Sequence, residues 1–200
     1  MGQRHAAHRF MPNKFVFPGG SVDPADSRVL PHAGLRPEVE ASLRKGCSAV
    51  RARALAMAAI RETFEETGLL VGRETPRPAR TRSRSWAAFF ARGVVPSLEI
   101  LDLVARAITP PDEPRRFDAR FFMADAAHVH GDAHDQLEGS GELLDLHWVP
   151  LSRAKRLDLP AITSLVVDEV AKRLTAKPAT TVIAVPFVHF PRGRTVVEKI

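Results

Sequence analysis

The chain has 200 residues, of which 44% are hydrophobic, and this is enough for one domain with a packed core. The single cysteine, Cys47, excludes an internal disulfide, and no apolar stretch reaches the length of a membrane span or of a secretory signal. These features predict one cytoplasmic domain over residues 1–200 without a membrane partner. The net charge of +6 leaves nucleic acid open as a partner.

The first half of the chain combines a short strand pattern with two helical patterns. Residues 14–17 are typical of a strand that stops at a Pro-Gly-Gly turn, and residues 37–45 favour a short helix that Gly46 ends. From Ser48 onward, apolar side chains recur at spacings of three and four, which predicts a long helix with a buried stripe. The stripe consists of Val50, Ala54, Met57, Ile60 and Phe64.

The second half combines four strand patterns with one helical pattern. The helix is predicted over residues 160–174, with a proline in its first turn and apolar residues at every fourth position. The strands are predicted at residues 101–108, 120–123, 143–149 and 181–190. This order of elements predicts an α/β fold in which helices cover both faces of a sheet.

Three glutamates lie within five residues near the end of the long predicted helix. Positions i, i+3 and i+4 share a helix face, so Glu62, Glu65 and Glu66 are expected to form one carboxylate patch. Like charges this close raise each other's pKa unless a cation lies among them, and an oxygen-only cluster suits Mg²⁺ or Mn²⁺ better than Zn²⁺. The alternative is a solvated helix face, on which Arg61 pairs with Glu65 and Gly68 ends the helix.

Two loops are candidates for phosphate contact. The paired glycines Gly19 and Gly20 let the backbone approach another group closely, although most Pro-Gly-Gly triplets are plain turns. The second loop is rich in arginine between residues 73 and 84, and its two prolines favour an irregular conformation. Because no aromatic residue is interleaved for base stacking, a solvated loop is favoured there over a nucleic-acid contact.

Together, the Pro-Gly-Gly turn and the glutamate helix resemble the signature of the Nudix hydrolases. Gly20 opens the matching segment, which is closed by Arg61, Glu62, Glu65, Glu66, Gly68 and the hydrophobic Leu69. Two departures stand out: Asp26 takes the place of the family's first glutamate, and 34 residues separate it from Arg61, far more than is usual. A long insertion inside the signature, here residues 27–47, is similar to the subgroup that includes coenzyme A diphosphatases. Residues 108–111 and 115–122 also resemble that subgroup.

The resemblance implies a Nudix-type α/β/α sandwich with a mixed sheet, and hydrolysis of a pyrophosphate bond with Mg²⁺ or Mn²⁺ as the cofactor. The implied substrate is a nucleoside diphosphate linked to another moiety, such as coenzyme A or a nucleotide sugar. Glu65 and Glu66 are expected to be the main metal ligands, and Glu62 a further ligand or a base beside the metal-bound water. Arg61 is expected to orient a carboxylate through its planar guanidinium.

The remaining site residues follow from the same resemblance. Gly19 and Gly20 are expected to shape the substrate loop, and Arg115 and Arg116 are either phosphate contacts or surface charges. The general base is expected in a later loop, where Glu142 and Glu138 are both candidates that equally fit a solvated position. A homodimer is also open, since many members of the family dimerise.

Residues 1–5 resemble the end of a strand that precedes this signature in the subgroup. This predicts that the chain begins at an internal methionine, so that a central strand is missing and its neighbour has an unpaired edge. Together with Asp26 and the arginine-rich loop, it favours a second hypothesis. In this second hypothesis, the chain is a catalytically weak Nudix-fold module that binds RNA or a regulatory nucleotide.

Overall fold

The computed structural model describes residues 1–7, 10–76, 81–131, 137, 139, 141–175 and 184–200. The α-helices in these ranges are α1 (Pro37–Arg44), α2 (Ala49–Thr67), α3 (Arg84–Ala91), α4 (Leu151–Ala154) and α5 (Ala161–Thr175). The strands are β1 (Gly2–Arg4), β2 (Phe15–Val16), β3 (Leu70–Val71), β4 (Arg73–Glu74), β5 (Val94–Val95), β6 (Asp102–Ile108), β7 (Asp118–Met123), β8 (Val129–His130), β9 (Leu143–Leu144), β10 (Pro186–His189) and β11 (Val196–Lys199). Short 3₁₀ helices cover Pro24–Ser27, Ala126–His128 and Pro191–Gly193.

The largest sheet has four strands in the order β11-β10-β6-β7. In it, β10 runs parallel to β6, whereas the other neighbours are antiparallel, so the sheet is mixed as predicted. A three-stranded antiparallel sheet has the order β2-β1-β9, and β3 with β8 and β4 with β5 form two further antiparallel pairs.

Helices cover both faces of the four-stranded sheet. Leu103 on β6 belongs to a buried cluster with Val39 of α1 and Ala52 of α2, whereas the next residue, Val104, belongs to a cluster with Val166 of α5. Successive residues of a strand point to opposite faces. The α/β/α sandwich predicted from the sequence is therefore confirmed, with α1 and α2 on one face and α5 on the other.

Helix α2 runs antiparallel to β6, and this orientation decides which loops lie near the glutamates. Leu103 on β6 clusters with Ala52 of α2. Three residues further along β6, Arg106 lies against Gly46, which precedes α2 in the chain. The last turns of α2 therefore lie at the beginning of β6. The loop that follows β6 lies toward the beginning of α2.

The predicted helices over residues 37–45, from Ser48 onward and over 160–174 are confirmed as α1, α2 and α5. In α2, Ala54, Met57 and Ile60 are buried as predicted, but the assignment of Val50 to the buried stripe is wrong because its side chain is 60% exposed. Val50 lies in the first turn and lines an open hollow on the surface. Among the described residues, no helix is long and apolar enough to cross a membrane.

Several elements differ from the predictions. The arginine-rich stretch is not a loop throughout, because its two ends lie in β4 and in α3, while residues 77–80 are outside the described ranges. Helix α3 buries Trp86, Phe89 and Phe90 in the largest core cluster. The strand predicted at residues 143–149 contains two residues, Leu143–Leu144, and that predicted at 181–190 is β10, with residues 181–183 outside the described ranges.

The N-terminal strand predicted to be missing is present as the three residues of β1. It lies between β2 and β9 and pairs with both, with Gly2 opposite Val16 and Arg4 opposite Leu143. The expectation of a missing central strand with an unpaired neighbour is therefore corrected. Because β1 connects its two neighbours, it also brings Arg4 toward the site described below.

The core position of Met57 generates a first prediction. Met57 is 0% exposed on α2, so Met57→Ala is expected to lower the free energy of unfolding by about 2 to 5 kcal/mol, through lost burial and a cavity. Val50→Ala, on the same helix, is expected to change it by less than about 0.5 kcal/mol. Urea unfolding monitored by circular dichroism measures both, and equal losses would contradict the packing of α2 described above.

Candidate active site

The three glutamates lie in the last two turns of α2, where the helix is fixed from behind. Ile60 is buried in the largest core cluster, on the side of α2 that faces away from the glutamates. The helix ends at Gly68, whose φ of 78° is left-handed, and the Gly68 N–H donates to the carbonyl oxygen of Phe64 at 2.8 Å. Glycine adopts this conformation without strain, which explains the glycine that follows the glutamates.

Arg61 lies buried at the centre of the site and donates hydrogen bonds in three directions. Its Nε and Nη2 donate to Asp26 Oδ1 and Oδ2 at 2.9 and 3.0 Å, and Nη2 also donates to the carbonyl oxygen of Ser21 at 2.9 Å. Its Nη1 donates to Glu62 Oε1 at 2.9 Å and to Glu65 Oε2 at 2.7 Å. One guanidinium thus connects the loop after the Pro-Gly-Gly turn to two of the three glutamates.

Asp26 is fully buried behind Arg61 and belongs to the 3₁₀ helix that follows the Pro-Gly-Gly loop. Its Oδ2 accepts a hydrogen bond from the Asp23 backbone N–H at 2.8 Å, which forms part of a capping box. Its Oδ1 accepts a hydrogen bond from Trp86 Nε1 at 2.9 Å. The residue that replaces the family's first glutamate therefore binds Arg61 on one side and α3 on the other.

The two glycines contact the glutamates directly. The Gly19 N–H donates to Glu66 Oε2 at 2.8 Å. A Cβ atom at position 20 would overlap the carboxylate of Glu62, so only glycine leaves that carboxylate in place. The structure therefore brings together Gly19, Gly20 and the glutamates of the predicted site.

Burial and crowding change the protonation of two glutamates. Burial is the main cause that raises the pKa of Glu66 to about 7; the charges of Glu62 and Glu142 add to it, whereas the Gly19 hydrogen bond and the charge of Arg4 oppose it. Burial also raises the pKa of Glu62, against its interaction with Arg61. For Arg61, burial favours a lower pKa, but the hydrogen bond to Asp26 and the nearby carboxylates outweigh it and raise the pKa. The cluster therefore has more negative charge than Arg61 neutralises.

The residues fit a hard divalent cation by their chemistry. Within the ranges that the structure describes, no three His, Cys, Asp or Glu side chains are arranged as a metal cage, because oxygens of Glu62 and Glu65 face Arg61 and one of Glu66 faces Gly19. Each carboxylate oxygen has two lone pairs, so further acceptor positions remain. An all-oxygen set with surplus negative charge is what Mg²⁺ and Mn²⁺ prefer. The assignment of these glutamates as metal ligands stays a prediction.

The structure separates two of the predicted phosphate contacts from the glutamates. Arg115 and Arg116 are exposed in the loop between β6 and β7, where Arg116 Nε donates to the Thr109 carbonyl oxygen at 3.2 Å and Arg115 lies over the Phe117 ring. Because β6 is antiparallel to α2, this loop lies toward the start of α2. At 1.5 Å per residue, that is about 20 Å from Glu62 along the helix.

Of the two candidates for the general base, one lies in the part of the chain that the structure describes. Glu142 precedes β9, and its charge raises the pKa of both Glu62 and Glu66, which locates its carboxylate near theirs. Glu138 lies outside the described residues. The described part of the chain therefore supports Glu142 as the candidate with a position at the site.

Sequence reasoning missed two residues of this site. Trp86 donates to Asp26 from α3, and the positive charge of Arg4 on β1 acts on Glu66. Both residues are brought to α2 by strand pairing or core packing between segments that are distant in the sequence. The sequence around each residue does not indicate such long-range contacts. The only available indication was that Arg4 lies in a segment resembling a strand of the related subgroup.

Comparison with known proteins gives one strong likeness. The chain is similar to the crystal structure of a NUDIX hydrolase from Alicyclobacillus acidocaldarius, with 31% sequence identity and a TM-score of 0.62. The likeness covers 85% of this chain and 82% of that one. No protein-family model matches the sequence, and no curated protein matches it.

The raised pKa of Glu66 generates a prediction for the protein without divalent cations. The folded-state pKa of about 7 lies above the ordinary value of 4.5, so the folded state holds this proton more tightly than the unfolded state. The stabilisation is complete below pH 4.5 and is lost as the pH rises through 7, by at most about 3 kcal/mol. Urea unfolding in EDTA between pH 4.5 and 8 measures this loss, and Glu66→Gln is the control that lacks it. Wild-type and Glu66→Gln stabilities that stay parallel across this range would contradict the burial of Glu66.

Proposed function

Since the chain belongs to the Nudix hydrolase family, we propose that it hydrolyses the pyrophosphate bond of a nucleoside diphosphate linked to another moiety, such as coenzyme A or a nucleotide sugar. One observation supports this proposal above the others. On the last turns of α2, Arg61 donates hydrogen bonds to Glu62 and Glu65. The Gly19–Gly20 loop contacts Glu66 through Gly19 and Glu62 through Gly20. A solvated helix face, the alternative considered from the sequence, does not explain a buried arginine or a buried Glu66.

Glu62, Glu65 and Glu66 would hold Mg²⁺ or Mn²⁺. When bound, such an ion neutralises phosphate charge and lowers the pKa of a coordinated water. Arg61 contributes by fixing the carboxylates of Glu62 and Glu65, since its planar guanidinium donates to both from one nitrogen. Glu66 is oriented separately, through the hydrogen bond from Gly19.

Glu142 is proposed as the general base. Its carboxylate lies near those of Glu62 and Glu66 and belongs to an exposed residue before β9, which leaves it open to solvent and substrate. In this role a Glu142 oxygen accepts a proton from the attacking water. The role of Glu62 is then to bind the cation rather than to remove the proton.

The substrate is proposed to lie over the Gly19–Gly20 loop. A Cβ atom at Gly19 would meet no atom within 4 Å, so a phosphate can approach the backbone there, whereas the Glu62 carboxylate fills the space beside Gly20. Arg115 and Arg116 would contact only a substrate that extends far from the reacting pyrophosphate, because their loop lies toward the other end of α2. This distance favours a long moiety such as coenzyme A over a compact sugar.

The metal assignment is tested with a panel of nucleoside diphosphate derivatives in the presence of Mg²⁺ or Mn²⁺. Glu65→Gln and Glu66→Gln are each expected to lower kcat by about 100-fold or more, because each removes a charged ligand. Glu40→Gln is the matched control, since Glu40 forms a similar i,i+4 pair with Arg44 on α1.

Turnover that survives both substitutions would refute the metal assignment. If the wild-type protein hydrolyses nothing in the panel but binds RNA with strong salt dependence, the alternative of a binding module is favoured.

The contact between Gly20 and Glu62 generates a separate prediction. In Gly20→Ala, the new methyl group occupies the place of the Glu62 carboxylate, which must swing away from Arg61. We expect kcat to fall by about tenfold or more, because the Glu62 carboxylate is displaced from the place in which Arg61 holds it. Gly34→Ala is the control, since a Cβ there meets no atom within 4 Å. Equal kcat values for the two variants would show that the position of Glu62 does not matter for turnover.

A further inference from the structure

Trp86 reaches the active site from α3, a helix that carries none of the signature residues. Its indole Nε1 donates to Asp26 Oδ1 at 2.9 Å, and both side chains are fully buried. Asp26 in turn binds Arg61, which binds Glu62 and Glu65. A continuous chain of hydrogen bonds therefore runs from the core of the protein to the proposed metal ligands.

The carboxylate of Asp26 has no acceptor position left over. Oδ1 accepts from Arg61 Nε and from Trp86 Nε1, and Oδ2 accepts from Arg61 Nη2 and from the Asp23 backbone N–H. A carboxylate has about four acceptor positions, so all are occupied. Loss of one donor leaves a buried charged oxygen partly unpaired, and Arg61, which donates to both oxygens of Asp26, is expected to shift in response.

The lengths of the side chains explain why an aspartate suits this position. Asp26 is one methylene shorter than the glutamate that the family signature has there. Asp26 and Trp86 are both 0% exposed and in contact, so a longer acid at position 26 must displace the indole ring or Arg61. The indole ring occupies the space that a shorter acid leaves and supplies the fourth donor.

We propose that Asp26 and Trp86 are a matched pair, in which Trp86 is a positioning residue that holds Arg61, and through it Glu62 and Glu65, in the geometry of the active site. The proposal rests on the proposed function for its effect on turnover. It also assigns a role to the aspartate that, judged from the sequence alone, favoured a catalytically weak protein. With its indole partner, the shorter acid binds Arg61 through both oxygens.

The effect on turnover is tested by removing only the indole N–H and part of the ring. Trp86→Phe is expected to lower kcat about tenfold while KM changes less than about threefold, because displacement of catalytic groups by a fraction of an ångström affects the transition state more than binding. Trp148→Phe, at the chain's other tryptophan, which is 42% exposed, is the control and is expected to keep kcat within twofold. Unchanged kcat in Trp86→Phe would overturn the positioning role.

The pairing itself is tested by exchanging both residues. Asp26→Glu alone is expected to lower kcat at least tenfold because the longer acid is overpacked against the indole. The double variant Asp26→Glu with Trp86→Phe is expected to recover at least tenfold relative to Asp26→Glu, because the smaller ring makes room. A double variant no more active than Asp26→Glu would overturn the matched pair.

A measurement without turnover separates this proposal from the proposed function. In the Trp148→Phe protein without metal, the single remaining indole N–H signal in a ¹H–¹⁵N spectrum belongs to Trp86. We expect slow exchange with solvent and a downfield shift that Asp26→Asn reduces. Fast exchange, or a shift that Asp26→Asn leaves unchanged, would overturn the pair even if the enzyme is active. An intact indole signal in a protein without diphosphatase activity would instead reject the proposed function.

Discussion

The candidate active site depends on the burial of one arginine. Arg61 lies in the interior with a side chain only 5% exposed, and the desolvation of its charge is compensated by Asp26, Glu62, Glu65 and the Ser21 carbonyl oxygen. Loss of one partner from such a buried pair typically costs about 3 to 5 kcal/mol, because the other charge remains buried. The same contacts that stabilise the fold here therefore also fix the carboxylates.

The site carries more negative than positive charge, and this excess affects both the stability of the fold and the binding of cations. Three carboxylates contact a single guanidinium, and Glu66 and Glu142 add negative charge nearby. At low pH a proton neutralises part of this charge, since burial, with a smaller contribution from neighbouring carboxylates, raises the pKa of Glu62 and of Glu66. A divalent cation would relieve it at neutral pH. Protons and metal are thus expected to compete for the same oxygens.

Local patterns predicted the helix and the spacing of its glutamates, because helix geometry alone decides which neighbours share a face. The same reasoning misplaced Val50, since periodicity does not tell where a helix extends past the core. It missed α3, whose eight residues are too few to establish a period. It also missed four strands of two residues each, β3, β4, β5 and β8, which are too short to show one. Trp86 and Arg4 reach the site through contacts across about 60 residues of sequence, which no local pattern encodes. The hydrogen bond from Trp86 to Asp26 could therefore not be predicted from the sequence.

The 34 residues between Asp26 and Arg61 do not weaken the contact between them, because the intervening segment packs against α2 and β6. Its helix α1 buries Val39 and Leu43 against α2 and β6, and Arg53 of α2 donates to the carbonyl oxygen of Ser27 at 2.5 Å. The family usually has about seven residues here, and a roughly fivefold longer loop costs only about 1.4 kcal/mol of closure entropy. Burial of a valine and a leucine side chain contributes about 1.5 to 3 kcal/mol each. The length of the insertion is thus offset by its own packing, and Gly20, Asp26 and α2 meet as they would across a short loop.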